Sequence, residues 1–137
     1  MKKYKPRRSL LYMPGANERA IQKAKSIDTD VVIFDLEDAV SPESKALARQ
    51  QVFDAIGSGG YGHRELVVRV NSLSTEWGRT DVERFSVADI SAMLFPKVET
   101  VYQLEKIDEL LSLNGRSDLT RWIMIETPRG VLDLETL

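Results

Sequence analysis

Short apolar runs alternate with longer amphipathic segments along this chain, and the alternation restricts the folds open to it. The apolar runs are rich in β-branched and aromatic residues, which is typical of strands buried on both faces of a sheet. We predict strands at residues 9–13, 31–36, 65–70, 93–95 and 122–125. Helical spacing separates or follows them at 18–27, 41–56, 80–85, 100–113 and 131–137. Helical links of this kind imply parallel strands with right-handed crossovers.

Two architectures satisfy this order of elements: an open doubly wound sheet, and part of a (β/α)8 barrel. A complete barrel takes about 250 residues, whereas this chain has 137. In the second architecture, residues 1–137 would therefore form one partial barrel domain, roughly the first half. The residue pattern alone leaves both architectures open.

Composition excludes several kinds of site and partner. The chain has no cysteine and one histidine, His63, so disulfides, thiolate catalysis, sulfur-ligated zinc and multi-histidine metal sites are ruled out within it. Acidic and basic residues are interspersed along the sequence, and the net charge is -2. The sequence therefore has no cluster of basic residues of the kind that binds nucleic acid or an anionic membrane. No apolar run approaches the roughly 20 residues of a membrane span. We expect a cytoplasmic protein whose residues 1–8 form a solvated basic tail.

Polar side chains follow the predicted strands at the point where each strand ends. Because the carboxyl ends of parallel strands meet at one edge of a sheet, we expect these residues to share one face, where ligands bind in such folds. The set suits a hard cation at Glu126 and a bidentate grip of Arg69 on a substrate carboxylate. Its members are Pro14, Gly15, Asp35, Glu37, Asp38, Arg69, Asn71, Lys97 and Glu126.

The two acidic elements of this set also have structural interpretations. Glu126 precedes Pro128 and fits an acid at the start of a helix, where the helix dipole stabilises negative charge. Glu37 and Asp38 fit a pair that caps the loop after the second strand. The pattern leaves ligand binding and structural roles open for all three carboxylates.

Structural interpretations exist for the remaining members as well. Arg69 fits an ion-pair partner of Glu37 or Asp38, and Lys97 fits a solvated loop lysine. Pro14 and Gly15 form a turn, which would cradle a phosphate only where backbone amides point at the ligand. The chain lacks the glycine patterns G-x-G-x-x-G and G-x-x-x-x-G-K-[ST], which gives nucleotide binding little support.

Five strand-end motifs together resemble the citrate lyase beta subunit family, which includes malyl-CoA and citramalyl-CoA lyases. The motifs stand in order along nearly the whole chain as RRSLLYMPGANER (7–19), DLEDAV (35–40), RVN (69–71), FPK (95–97) and ETPRG (126–130). The resemblance implies a (β/α)8 barrel that cleaves a 3-hydroxyacyl-CoA to acetyl-CoA, or a homologue, and a 2-oxo acid.

The resemblance also implies a Mg2+ cofactor and roles for the site residues. It implies that Glu126 and a second acid bind Mg2+, that Arg69 binds the oxo-acid part of the substrate, and that Glu37 and Asp38 lie beside the metal. Arg7, Arg8 and Lys97 are candidates for the phosphates of the CoA thioester. We expect catalytic roles for Arg69, Glu37 and Asp38, and substrate contacts at Arg69, Glu126, Lys97, Pro14 and Gly15.

The family's second metal acid lies about one β/α unit beyond the first, past Leu137. We therefore expect a truncated chain that is inactive alone, belongs to a homo-oligomer or a citrate lyase complex, and leaves two sheet edges to cover. Two other functions remain open: a related barrel aldolase acting on free 2-oxo acids, and a non-catalytic half barrel that binds a partner.

Overall fold

The computed structural model describes residues 5–137, in which five strands alternate with five α-helices. The strands are β1 Leu10–Pro14, β2 Val31–Asp35, β3 Glu65–Arg69, β4 Ala92–Phe95 and β5 Thr120–Ile123. The helices are α1 Glu18–Lys23, α2 Lys45–Ser58, α3 Gly78–Phe85, α4 Val101–Leu113 and α5 Pro128–Leu132, and a 3-10 turn at Pro42–Ser44 precedes α2. The predicted β/α alternation is confirmed.

The strand order separates the two architectures that the sequence leaves open. All five strands are parallel and pair in the order β1-β2-β3-β4-β5. A doubly wound sheet needs a point at which the strand order reverses, and this sheet has none. Winding in one direction is the arrangement of a (β/α)8 barrel, so the predicted fold class is confirmed.

The two faces of the sheet pack against different parts of the protein. One face packs against the helices in a large cluster that contains Phe34 and Met93 from strands together with Val52 and Leu111 from α2 and α4. The opposite face forms a small cluster of strand residues with Trp122 and Met124, without a helix residue. Its members are Val31, Ile33, Val67, Ala92 and Leu94. A strand-only cluster of this kind corresponds to the packed interior of a barrel.

The sheet curls enough for side chains at or next to its first and last strands to come together across this inner face. The Tyr12 hydroxyl on β1 lies 3.9 Å from Sδ of Met124, just after β5. The Arg7 guanidinium lies over the Trp122 ring, 5.3 Å from its centroid. Side chains of the two edge strands therefore cover the inner cluster.

The fifth β/α unit begins earlier than predicted. β5 ends at Ile123, so Glu126 is not the last residue of a strand but lies three residues past it. Met124 still donates its N–H to the carbonyl of Phe95 and accepts from Val98, which extends the connection without extending the strand. The last helix starts at Pro128 rather than 131, because the Thr127 side chain accepts from Gly130 N and caps it.

The basic residues before β1 lie at the opposite edge of the sheet from the predicted site. Arg8 pairs with Asp30 at 2.9 Å and Arg7 with Glu65 at 2.6 Å, next to the amino ends of β2 and β3. Arg7 and Arg8 are therefore ion-paired and badly placed for the phosphates of a ligand at the carboxyl edge. The rest of the predicted basic tail, residues 1–4, lies outside the described residues. Within residues 5–137 no helix is long and apolar enough to cross a membrane.

A substitution at Gly15 tests the tight turn that ends β1. A Cβ there would lie 2.8 Å from the Asp35 carbonyl and 3.1 Å from Val52, so Gly15→Ala should destabilise the protein by about 1–3 kcal/mol. Gly57 in α2 has nothing within 4 Å of its Cβ position, and Gly57→Ala should stabilise by up to about 1 kcal/mol. Urea unfolding of both variants measures this difference, and equal stability of the two would contradict the turn geometry.

Candidate functional site

Asp35, the last residue of β2, is the centre of the carboxyl edge. Its side chain is 1% exposed and accepts from Nε of Arg69 at 2.8 Å and from Nη2 of Arg69 at 2.6 Å. Its two oxygens also accept the backbone N–H groups of Glu37 at 2.8 Å and Ala39 at 3.1 Å. Four donors satisfy this buried charge, which is the condition for a stable buried carboxylate.

Arg69 of β3 is held by this bidentate pair and by two weaker neighbours. Its Nη1 lies 3.2 Å from Glu37, and its guanidinium lies 5.0 Å from the centroid of the Tyr12 ring. Burial opposes its charge, but the hydrogen bonds and charge of Asp35 leave the pKa of Arg69 above its usual value. The ion-pair interpretation therefore holds for Glu37, with Asp35 as the main partner, and not for Asp38. Nη1, the one guanidinium nitrogen that does not donate to Asp35, also lies 3.7 Å from Sδ of Met124.

Lys97, directly after β4, connects the acids of two strands. Its ammonium contacts the Glu37 carboxylate and lies 3.2 Å from Asp38, and its backbone N–H donates to Oε1 of Glu126 at 2.9 Å. The hydrogen bond to Glu37 raises the pKa of Lys97, and the hydrogen bond from Lys97 lowers the pKa of Asp38. Lys97 is thus ion-paired and not a free loop lysine.

The backbone at Lys97 is strained. Its φ is 53°, the only positive value at a non-glycine residue in the described part of the chain. Left-handed conformations at such residues cost about 1–3 kcal/mol and concentrate at functional sites. This conformation lets one residue direct its N–H at Glu126 and its side chain at Glu37.

Glu126 is exposed at the same edge, between β5 and α5. Thr127, not Glu126, caps α5, so the helix-capping interpretation does not apply to it. Lys97 holds one of its oxygens, and the other is available to a ligand. Across residues 5–137 no three His, Cys, Asp or Glu side chains come together to hold a metal. Mg2+ commonly takes only one or two carboxylates with water and substrate oxygens, so the donor chemistry here fits part of a Mg2+ site.

Pro14 and Gly15 lie beside the site, but their backbone does not point at it. The Gly15 amide donates to the Asp35 carbonyl at 2.8 Å. It is therefore not available as a phosphate cradle. Because Gly15 has no side chain, β1 can lie close to the end of β2.

Two buried charged residues that support the site, Asp81 and Lys45, are less evident in the sequence. Asp81 of α3 is 1% exposed and accepts from the backbone and side-chain amides of Asn71 and from Arg49. Because Asp81 only accepts, the Asn71 amide must direct its oxygen away from it. Lys45 of α2 donates to the carbonyls of Leu36 and Glu37. Both Asp81 and Lys45 lie within helical sequence, where a charged residue normally indicates a solvated face.

A cleft of about 560 Å³ opens between the loops that follow β2, β3 and β4. Acidic, basic and amide groups converge on it, among them Glu37, Asp38, Lys45, Asn71 and Lys97. A polar cleft at the carboxyl edge of a parallel sheet is where a small anionic ligand is expected.

Comparisons with known proteins find similarity along nearly the whole chain. The family model described as HpcH/HpaI aldolase/citrate lyase matches residues 8–137. A relative named (3S)-malyl-CoA thioesterase, from Cereibacter sphaeroides, is 44% identical over 128 residues, which are 93% of this chain and 43% of the relative. The mitochondrial citramalyl-CoA lyase of Rattus norvegicus is 31% identical over 142 residues, and the match covers 98% of this chain and 42% of the relative.

A solved structure supports the same relationship. The citrate lyase beta subunit from M. tuberculosis, complexed with oxaloacetate and magnesium, superposes with a TM-score of 0.72 at 25% identity, covering 93% of this chain and 52% of that one. The chain therefore spans about half of the length of these proteins, or less than half.

The Asp35–Arg69 pair predicts a large loss of stability when one partner is removed. Arg69→Met leaves the Asp35 carboxylate buried without its main counter-charge, which should cost about 3–5 kcal/mol of unfolding free energy. Arg79→Met removes an exposed pair with Glu83 four residues on and should cost about 0.3–0.5 kcal/mol. Denaturant unfolding compares the two, and similar losses would show that Arg69 is not the partner that makes Asp35 tolerable.

Removing Lys97 should change the titration of Asp38. A carboxyl whose folded-state pKa is lowered stabilises the fold above its unfolded pKa and loses that contribution as the pH falls through its folded pKa. Lys97→Met should therefore raise the pKa of Asp38, and the stability difference from wild type should shrink as the solution is acidified. Carboxyl 13C NMR measures the pKa, with Lys106→Met on α4 as the control; an unmoved Asp38 titration would exclude the contact.

Proposed function

The chain belongs to the HpcH/HpaI aldolase/citrate lyase family, and from this premise we propose that the protein is a Mg2+-dependent carbon–carbon lyase. Its substrate is a 3-hydroxyacyl-CoA of the citryl, citramalyl or malyl type, and its products are acetyl-CoA and a 2-oxo acid. The names of two relatives include a malyl-CoA or citramalyl-CoA thioester, and the solved structure holds magnesium and the 2-oxo acid oxaloacetate.

The convergence of Arg69, Glu37, Asp38 and Glu126 at the carboxyl edge is the observation that carries the proposal. Arg69 supplies a fixed cation for a carboxylate, and Glu126 supplies an oxygen for a hard cation. Lys97 holds Glu37 by its ammonium and Glu126 by its backbone, so these groups have fixed relative positions. Fixed charges at a cleft are the preorganised environment that lyase chemistry needs.

The proposed cleavage proceeds through an enolate of the thioester. The substrate hydroxyl loses its proton, the bond between the hydroxyl carbon and the thioester α-carbon breaks, and the electron pair stays on the α-carbon as an enolate that is then protonated. Mg2+, when bound, stabilises the negative charge that develops on the hydroxyl oxygen. Arg69 supplies the positive charge that orients the neighbouring carboxylate, and Glu126 provides the metal oxygen. Glu37 and Asp38 lie beside them, in position to order water or move a proton.

The proposal covers a protein of which this chain represents a part. Residues 1–137 form one partial (β/α)8 domain in it, in keeping with the 43% and 52% of the matched proteins that the chain covers. The complete protein acts in the cytoplasm as a homo-oligomer or as a subunit of a citrate lyase complex.

A second function has a specific observation in its favour. The 44% identical relative is named a thioesterase, and hydrolysis of malyl-CoA breaks the C–S bond and leaves the C–C bond intact. A third candidate is an aldolase that cleaves free hydroxy-oxo acids without CoA. Product analysis separates them: acetyl-CoA with glyoxylate, pyruvate or oxaloacetate indicates the lyase, free CoA with the hydroxy acid indicates the thioesterase, and cleavage of free acids alone indicates the aldolase.

Glu126→Gln in the intact protein tests the metal assignment. The substitution keeps the volume and one carbonyl oxygen but removes the charge that the cation requires. We expect a loss in kcat/KM of at least about 100-fold, the upper range for substitutions around metal ligands, with wild-type stability. Assays with citramalyl-CoA, malyl-CoA and citryl-CoA at saturating Mg2+ measure it, and EDTA should abolish wild-type activity.

Glu135→Gln is the matched control, since Glu135 is an exposed acid nine positions further on, just past α5. It should leave activity unchanged. Normal lyase activity in Glu126→Gln, or equal losses in the two variants, would remove Glu126 from the metal site.

A further inference from the structure

Lys45 is a buried lysine with no place in the mechanism above. It begins α2, and its side chain is only 7% exposed. Lysine is almost never fully buried unless its charge is paired. Among residues 5–137 no carboxylate lies within ion-pair distance of it; instead Nζ donates to the carbonyls of Leu36 and Glu37 at 2.8 and 2.7 Å.

The surroundings of Lys45 fix its ammonium in one place. The Trp77 ring lies 5.3 Å away, close enough for a cation–π interaction. Next to Trp77, Gly78 begins α3 and lies against the carbonyls of Asn71 and Ser72, where a Cβ would come within 2.3 Å of an oxygen. Two helices and the loop after β3 therefore position a single cation over the end of β2.

The two carbonyls that Lys45 binds belong to the turn that carries the acid pair. Leu36 N donates to Arg69 O, and Val40 N donates to Glu37 O. With Lys45 added, the peptides on both sides of Glu37 are fixed. The direction in which Glu37 and Asp38 leave the backbone follows from the direction of these peptides.

Lys45 has a structural role in this turn, because it supplies donors to two buried carbonyl oxygens that an apolar residue would leave without a partner. Burial lowers the pKa of Lys45, against the raising effect of Glu37 and Asp35. The same two hydrogen bonds fix the backbone of the acidic turn, and this geometry points to a second role, in the site.

We propose that Lys45 is a positioning residue, which sets the orientation of Glu37 and Asp38 and through them the affinity of the site for a divalent cation. The inference rests on the proposed function for the presence of that cation. It assigns to Lys45 no contact with substrate or metal.

Metal binding tests the proposal without reference to activity. Mn2+, a hard cation that carboxylate sites accept in place of Mg2+, is titrated into the intact protein and counted by EPR. Lys45→Met should weaken Mn2+ binding by about 10- to 100-fold, the range for residues that orient metal ligands. Lys23→Met, an exposed lysine at the end of α1, should leave it unchanged. Wild-type Mn2+ affinity in folded Lys45→Met overturns the proposal.

If Lys45→Met does not fold, the variant Lys45→Arg tests the positioning role of Lys45 instead. Arginine keeps the charge, but its larger, planar guanidinium does not reproduce the compact ammonium of Lys45 at the two carbonyls. We expect weaker Mn2+ binding with an unfolding temperature close to that of wild type. A lower unfolding temperature with unchanged Mn2+ affinity indicates a structural role only, and unchanged values of both also overturn the proposal.

The same samples separate this inference from the proposed function. Wild-type protein that binds Mn2+ but cleaves no citramalyl-, malyl- or citryl-CoA refutes the lyase proposal and leaves the Lys45 comparison valid. Wild-type protein that binds no Mn2+ overturns both.

Discussion

The buried ion pair between Asp35 and Arg69 is the interaction on which the site depends. The two residues stand opposite each other in the β2–β3 register, so the pairing of two strands places their charges in contact. Asp35 uses its remaining acceptor sites on the amides of Glu37 and Ala39, and this turns the chain so that Glu37 faces the cleft. A break in the pair would therefore disturb the sheet edge, the turn and the acidic side chains together.

Around this pair, charged residues of the neighbouring elements hold one another in place. Lys97 connects Glu37 to Glu126 across β4 and β5, and Lys45 holds the same turn from α2. Asp81 and Arg49 orient Asn71 from the helix layer. Along these contacts the charges alternate in sign from Glu126 through Lys97, Glu37 and Arg69 to Asp35, which lets several ionisable groups lie within a few ångströms of one another. Their mutual constraint gives the preorganisation that the proposed chemistry requires.

The sequence predicted the order of elements well because strand and helix periodicity are local properties. It predicted that Glu37, Asp38, Arg69, Lys97 and Glu126 would gather at one edge, since parallel strands leave no other arrangement for their carboxyl ends. It did not predict how they pair. The sequence offers Glu37 or Asp38 as ion-pair partners of Arg69; Glu37 is one of its partners, but the register makes Asp35 the main one. Arg7 and Arg8 are candidates for the CoA phosphates in the sequence, but they lie ion-paired at the amino edge. Partners far apart in sequence depend on register and curl, which periodicity does not encode.

By itself, the sequence determined an alternating β/α chain with a carboxyl-edge cluster of charges and, through five motifs, its resemblance to one enzyme family. The tertiary structure decided between a doubly wound sheet and a barrel-type sheet, because strand order is a global property. It also decided that Glu126 lies beyond β5 rather than at its end and that Lys97 adopts a strained backbone. Lys45 shows the difference most clearly: in the sequence it is an ordinary helical lysine, and only the packing of α2, α3 and the β2 turn makes it a buried cation at the acid pair.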